Sequence, residues 1–182
     1  MAKKAVVILA DGFEELEAIS VIDILRRANI DTTVAGLDKL NIKGSHGVII
    51  SADKILDESG DYDACVFPGG MQGATNLSAS EKVKKLIQKM NSANKIIAAI
   101  CASPVIVLGP SSILKNRHAV CYPGMEKEFP KDVKYKDSDV VIDGNIITSR
   151  GPATAVAFAL AIVQQLAGKV IAENVRKAIL AK

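Results

Sequence analysis

The chain alternates short, unbroken apolar runs with longer amphipathic stretches. Ala5 to Ala10 (AVVILA) contains no polar position, which predicts a strand covered on both faces. From Glu15 to Ala28 the apolar residues Leu16, Ile19, Ile22 and Leu25 recur near helical spacing, predicting an amphipathic helix. Thr32 to Ala35 is rich in β-branched residues and predicts a second strand, and a short strand is expected near Val48 to Ser51. Asp63 to Phe67 (DACVF) predicts another buried strand, stopped by Pro68, Gly69 and Gly70. Ser78 to Glu81 (SASE) has capping-box spacing and opens a helix to about Met90. Lys95 to Ile100 predicts a further buried strand, with a short helix after Cys101. Residues 118–121, 139–142 and 145–148 read as strands, the last two joined by a hairpin turn at Asp143 and Gly144. An Ala-rich helix over Ala153 to Leu166 and a last one over 170–181 complete the pattern.

Buried strands alternating with amphipathic helices predict an α/β layered fold with a mainly parallel sheet. No internal repeat or low-complexity linker divides the 182 residues, so one domain over 1–182 is expected.

Composition narrows the function classes. Aromatics make up 4% of the chain and Trp is absent, which leaves no base-stacking surface. The net charge of +3 is scattered, with no basic block to steer onto phosphate or anionic lipid. No apolar stretch approaches a membrane span, and Ala5 to Ala10 is too short for a signal-peptide core. A cytoplasmic protein without nucleic-acid or membrane partners is expected. Cys65, Cys101 and Cys121 form no CxxC pair and are odd in number, which argues against a disulfide framework and a structural zinc site.

In open α/β sheets, ligands bind outside the carboxyl ends of the strands. That rule selects ADGFEELE after the first strand, PGGMQGATN after Phe67, CASP after Ile100 and SRGPAT after Thr148. Within CASP, Cys101 has small residues two before and two after it, Ala99 and Ser103, as a nucleophile elbow requires. A helix N-terminus there would lower the thiol pKa. The Ala102 N–H, with the N–H of Gly70 as a second donor, would face a developing oxyanion. The competing reading is a buried, inert cysteine, the commoner fate of the residue type; Cys65 and Cys121, placed mid-strand, fit it better than Cys101. Glu14, Glu15 and Glu17 open the first helix, where acidic residues ordinarily complement the dipole. Leu16 and Ala18 flank Glu17 and Phe13 lies one turn earlier, so Glu17 could face inward, where a carboxyl group would have a raised pKa and could shuttle a proton, but the pattern alone does not choose among the three. His118 reads as a surface or edge residue, and His46 lies in a Gly-rich turn.

VVILADGFEELEA, VFPGGMQGATNL, AAICASP, CYPG and TSRGPATAVAFALAIV, in this order, resemble the ThiJ/PfpI superfamily. The nearest subgroup is that of the parkinsonism-associated protein deglycase and its bacterial relatives. The resemblance implies a flavodoxin-like three-layer sandwich, a homodimer built around the first helix and the strand after His46, and no cofactor or metal. It implies a reactive Cys101 on the elbow, with Glu17 bonded to its sulfur and Gly70 and Ala102 as oxyanion donors. Gly69, His46, Tyr122, Gly151 and Pro152 are its candidate substrate contacts. Two positions depart from the subgroup. His46 stands where an Arg is frequent, and Tyr122 stands where some members have a His before the Pro. Tyr is a poor base at neutral pH, so a Cys–His dyad and protease activity are disfavoured. Two activities follow: glutathione-independent chemistry on small reactive 2-oxoaldehydes, glyoxalase- or deglycase-like, and redox sensing or redox-regulated chaperoning through Cys101 sulfinate. A binding module with a relict elbow is the third.

Overall fold

The computed structural model describes residues 2–181. In chain order its elements are β1 (Lys4–Leu9), α1 (Glu15–Arg27), β2 (Asp31–Gly36), β3 (Asn41–Lys43), β4 (Ile49–Ser51), β5 (Lys54–Ile55) and β6 (Ala64–Phe67). There follow α2 (Met71–Ala79), α3 (Glu81–Ser92), β7 (Ile96–Ile100), β8 (His118–Ala119), β9 (Lys134–Tyr135), β10 (Val140–Asp143), β11 (Ile146–Ser149), α4 (Ala155–Ala167) and α5 (Lys169–Ala178). The main sheet has the order β10-β11-β7-β6-β1-β2-β5, parallel except for the β10–β11 hairpin. None of its helices is long and apolar enough to cross a membrane, among the described residues.

The apolar strands are continuous because both faces are covered. Successive residues of β1 go to opposite sides. Val6 and Ile8 join a core with Cys65, Phe67, Ile97 and Ala99 under α2 and α3. Ala5, Val7 and Leu9 join the other with Val66, Ala98 and Ile100 under α1 and α4. Helix α3 shows why its register holds: Val83, Leu86, Ile87 and Met90 are buried, one stripe at helical spacing. The α/β layered fold with a mainly parallel sheet, expected from the pattern, is thus present, with helices on both faces of the sheet.

Several local expectations need correction. The pattern predicts no helix within PGGMQGATN, yet α2 begins at Met71. Its Gly, Thr, Asn and Ser residues carry little helix propensity. Packing decides instead: Ala74 and Leu77 are buried, and a Cβ on Gly73 would come 2.8 Å from the Phe13 nitrogen. The capping box at Ser78 is absent, since Ser78 lies inside α2 and Ser80, with no side-chain cap bond, precedes α3. The hairpin turn is shifted by one residue, with Asp143 paired to Ile146 and Gly144 at φ 62°. The strand at 118–121 is only His118–Ala119, so Cys121 lies beyond it, although it is buried. Residues near Val48 pair with β3 in a separate hairpin rather than in the main sheet.

Candidate active site

Strand order reverses at β1, whose neighbours β2 and β6 lead away in opposite directions. The crevice at such a point, outside the carboxyl ends, is where open sheets place their ligands. The loops after β1, β6 and β7 meet there. A recess of about 390 Å³ beside Asp11, Lys39 and Asn76 lies at the ends of β1 and β2 and does not include Cys101.

Cys101 has φ 66°, a left-handed conformation that costs a non-glycine residue about 1–3 kcal/mol. The surroundings impose it. The Cys101 N–H donates to Ser149 O at 2.9 Å, and the Cys101 carbonyl accepts from the Tyr122 N–H at 2.9 Å. The chain then turns into a wide π-helical turn, Pro104–Leu108. The elbow read from Ala99 and Ser103 is therefore real, and the side chain is partly accessible.

Glu17 is fully buried on α1. Glu14 is the helix cap and accepts from the Glu17 N–H at 2.8 Å. Glu17 Oε2 accepts from the Gly69 N–H at 2.7 Å, while Oε1 is buried with no hydrogen-bond partner among the described residues. A Cβ on Gly69 would fall 2.5 Å from the Cys101 Cβ and 2.6 Å from Glu17 Oε2, so only glycine lets the two side chains share this space. Of the three acidic residues, the fold turns Glu17 inward.

Burial pushes Glu17 up to about 7, against the opposing pull of the Gly69 N–H. The Cys101 thiol is not lowered, as its place before a helix suggested. Burial and then the Glu17 charge push it up to about 12, and the N–H groups of Gly70 and Ala102 offset only part of this. The short turn supplies little helix dipole, and the carboxylate is close. The two groups resist carrying two negative charges together. A thiolate forms here most readily with the proton resting on Glu17, whose bare Oε1 can hold it.

The stability consequence has a definite sign. A carboxyl group with a raised folded pKa binds its proton more tightly in the native state. Its contribution is complete below the ordinary value of 4.5 and is lost as pH rises through about 7. From this group alone, stability is expected to fall by about 3 kcal/mol across that window. In Glu17→Gln the fall should be absent. Urea unfolding at several pH values checks this, and equal slopes in the two proteins would contradict it.

The other candidates divide. The N–H groups of Gly70 and Ala102 face the Cys101 sulfur. Tyr122 is tied to the elbow through its N–H, and its half-exposed ring lies over Gly151, where a Cβ would meet it at 3.3 Å. Pro152 opens a 3₁₀ turn beside it. The hydrogen-bond partners of His46 lie elsewhere. Glu15 accepts from the His46 N–H at 2.6 Å, Glu15 Oε2 lies 2.8 Å from His46 Nδ1, and Ser45 Oγ donates to the same carboxylate at 3.1 Å. Although burial opposes it, these bonds hold Glu15 at about 2, while Glu15 raises His46. Glu14, Glu15 and His46 bring donor atoms within 4.8 Å of one another, the metal-compatible cluster among the described residues, but both Glu15 oxygens are already occupied. Cys65 and Cys121 are raised by burial, Cys121 to about 12. Ser103, read only as a small residue, donates from its buried hydroxyl to Pro68 O at 2.6 Å; nothing in the spacing pointed to that bond.

The DJ-1/PfpI family profile matches residues 3–165. The chain belongs to the DJ-1/PfpI family. It is 42% identical to the protein dj-1beta of Drosophila melanogaster, over 99% of this chain and 98% of that one. It is 30% identical to a protein named a deglycase from Pyrococcus horikoshii, over 90% of this chain and 99% of that one. A DJ-1 homolog B of Arabidopsis thaliana is 42% identical, and there the match spans 88% of this chain but 37% of the longer relative. The crystal structure of Drosophila DJ-1beta superposes with a TM-score of 0.97, covering 100% of both chains at 42% identity. The flavodoxin-like sandwich of the DJ-1/PfpI family is thus the fold of this chain.

Proposed function

We propose that this DJ-1/PfpI protein is a cytoplasmic stress-response enzyme acting on small reactive 2-oxoaldehydes, with Cys101 as nucleophile and Glu17 as proton shuttle. The observation that carries this reading is the shared pocket behind Gly69, where a strained cysteine meets a buried carboxyl group with one bare oxygen. The relative named a deglycase supports it. Glu17 takes the thiol proton as the sulfur attacks the aldehyde carbon of methylglyoxal, and the Gly70 and Ala102 N–H groups hold the developing oxyanion. Glu17 hands the thiol proton to that oxyanion, and the neutral hemithioacetal then loses its C–H proton to the carboxylate so regenerated. Return of that proton to the neighbouring carbon gives an enzyme thioester, which water cleaves to lactate and free thiol. Methylglyoxal plus water thus equals lactic acid, with no external oxidant or cofactor. Assay of lactate formed from methylglyoxal without glutathione tests this; no formation above the buffer rate would refute it.

The bare Glu17 Oε1 also favours a second reading, redox sensing. Protonated, it would donate to an oxygen of a Cys101 sulfinate formed from two equivalents of peroxide, each reduced to water. Intact mass after mild peroxide should then show two added oxygen atoms confined to Cys101. Even modification of all three cysteines speaks against it.

We further propose that the protein is a homodimer. Leu16 is 63% and Ile19 46% exposed on α1, and Ile49 is 65% exposed on β4, an apolar face that water does not favour. Leu16→Arg is expected to give a monomer by light scattering, and an unchanged mass would exclude this face.

A further inference from the structure

The Pro68-Gly69-Gly70 turn consists of two peptide groups, each held on both sides. The carbonyl of the second, Gly69 O, accepts from the Glu14 N–H at 3.0 Å, and its N–H, that of Gly70, faces the Cys101 sulfur. The carbonyl of the first, Pro68 O, accepts from Ser103 Oγ at 2.6 Å, and its N–H, that of Gly69, donates to Glu17 Oε2 at 2.7 Å. Ser103 is 0% exposed and lies two residues beyond the nucleophile. An elbow needs only a small side chain there. A buried hydroxyl exceeds that need and is costly unless bonded. A hydrogen bond to a peptide carbonyl also polarises the group and strengthens donation from its N–H.

We propose that Ser103 is a positioning residue: acting through the Pro68–Gly69 peptide, its hydroxyl fixes the Gly69 N–H on the Glu17 carboxylate and biases where the proton shared with Cys101 rests. This rests on the reading of Cys101 and Glu17 as a coupled pair, and not on which compound the thiolate attacks. The Gly69 N–H is the backbone donor to the Glu17 carboxylate, whose other neighbour in hydrogen-bonding reach is the Cys101 thiol itself. Without the Ser103 hydroxyl the peptide is free to tilt. The carboxylate then loses part of that support, and Glu17 holds its proton more tightly.

The test is alkylation of Cys101 by iodoacetamide, read by intact mass across the neutral pH range. Four proteins are compared: wild type, Ser103→Ala, Glu17→Gln and the double variant. The wild-type rate should inflect where Glu17 titrates, near 7. Ser103→Ala should move the inflection upward, equivalent to about threefold tighter proton binding. Glu17→Gln should show no inflection, and adding Ser103→Ala to it should leave the rate within about twofold, the double-mutant signature of action through Glu17. An unmoved inflection in Ser103→Ala, or the same rate change in both backgrounds, overturns the proposal. A wild-type profile without an inflection removes the coupled pair itself, and the positioning role with it, whatever the aldehyde assay gives. If Ser103→Ala fails to fold, Ser103→Gly removes the same hydroxyl and is read in the same way.

Discussion

Cys101→Ser is expected to abolish lactate formation from methylglyoxal, by about 10³-fold or more. The reason lies in the proton balance at the site. A thiol raised to about 12 still passes its proton to a neighbour raised to about 7 when a carbonyl accepts the sulfur lone pair. A serine hydroxyl is intrinsically a far weaker acid, and a single buried carboxylate does not ionise it. Nor can another thiol substitute, since Cys65 and Cys121 are 0% exposed. Coupled lactate measurement at fixed methylglyoxal checks this. More than about a tenth of wild-type turnover in Cys101→Ser would remove the nucleophile from the mechanism.

Gly69→Ala should be nearly as damaging, and for a steric reason. Its new methyl group would sit 2.5 Å from the Cys101 Cβ, 2.6 Å from Glu17 Oε2 and 3.0 Å from Ile100 O. The Cys101 Cβ and the Ile100 carbonyl are held by the backbone and cannot swing away, and the Glu17 carboxyl group is packed in the core, so the cysteine and the carboxyl group must separate. Overpacking of this kind costs about 1–3 kcal/mol of stability. A displacement of the reacting groups by about an ångström costs on the order of 100-fold in turnover. Thermal unfolding and lactate assay together measure both losses. A Gly69→Ala protein with unchanged turnover would show that the pair need not share this pocket.

The layered fold was legible because burial writes itself into the strands. AVVILA and ACVF carry no alternation, since helices cover both faces of a parallel sheet. The amphipathic stripe of α3 was equally plain. Helix α2 was not, because its residues are poor helix formers and its place is set by close approach of Gly73 to the backbone at Gly12 and Phe13. The strands β3, β5 and β9 span only two or three residues, too short for a period to show.

At the site, the spacing Ala99-Cys101-Ser103 located the elbow, and strand-end placement located the glycine pair. The residue pattern offered Glu17, between Leu16 and Ala18, as an inward-facing candidate without choosing among Glu14, Glu15 and Glu17; a family resemblance favoured Glu17, and the fold separates all three. Glu14 caps α1, Glu15 turns to Ser45 and His46, and Glu17 enters the core. The direction of the Cys101 shift was also beyond the sequence. Local reasoning sees a turn before a helix and lowers the pKa. The tertiary structure adds burial and a carboxyl group 84 positions earlier in the chain, and these outweigh it. The residue pattern is enough to show which strands are covered on both faces and where the chain turns at Gly and Pro, because both are local properties of side-chain polarity and size. Only the folded chain decided which charges meet, because desolvation and proximity depend on residues that are far apart along it.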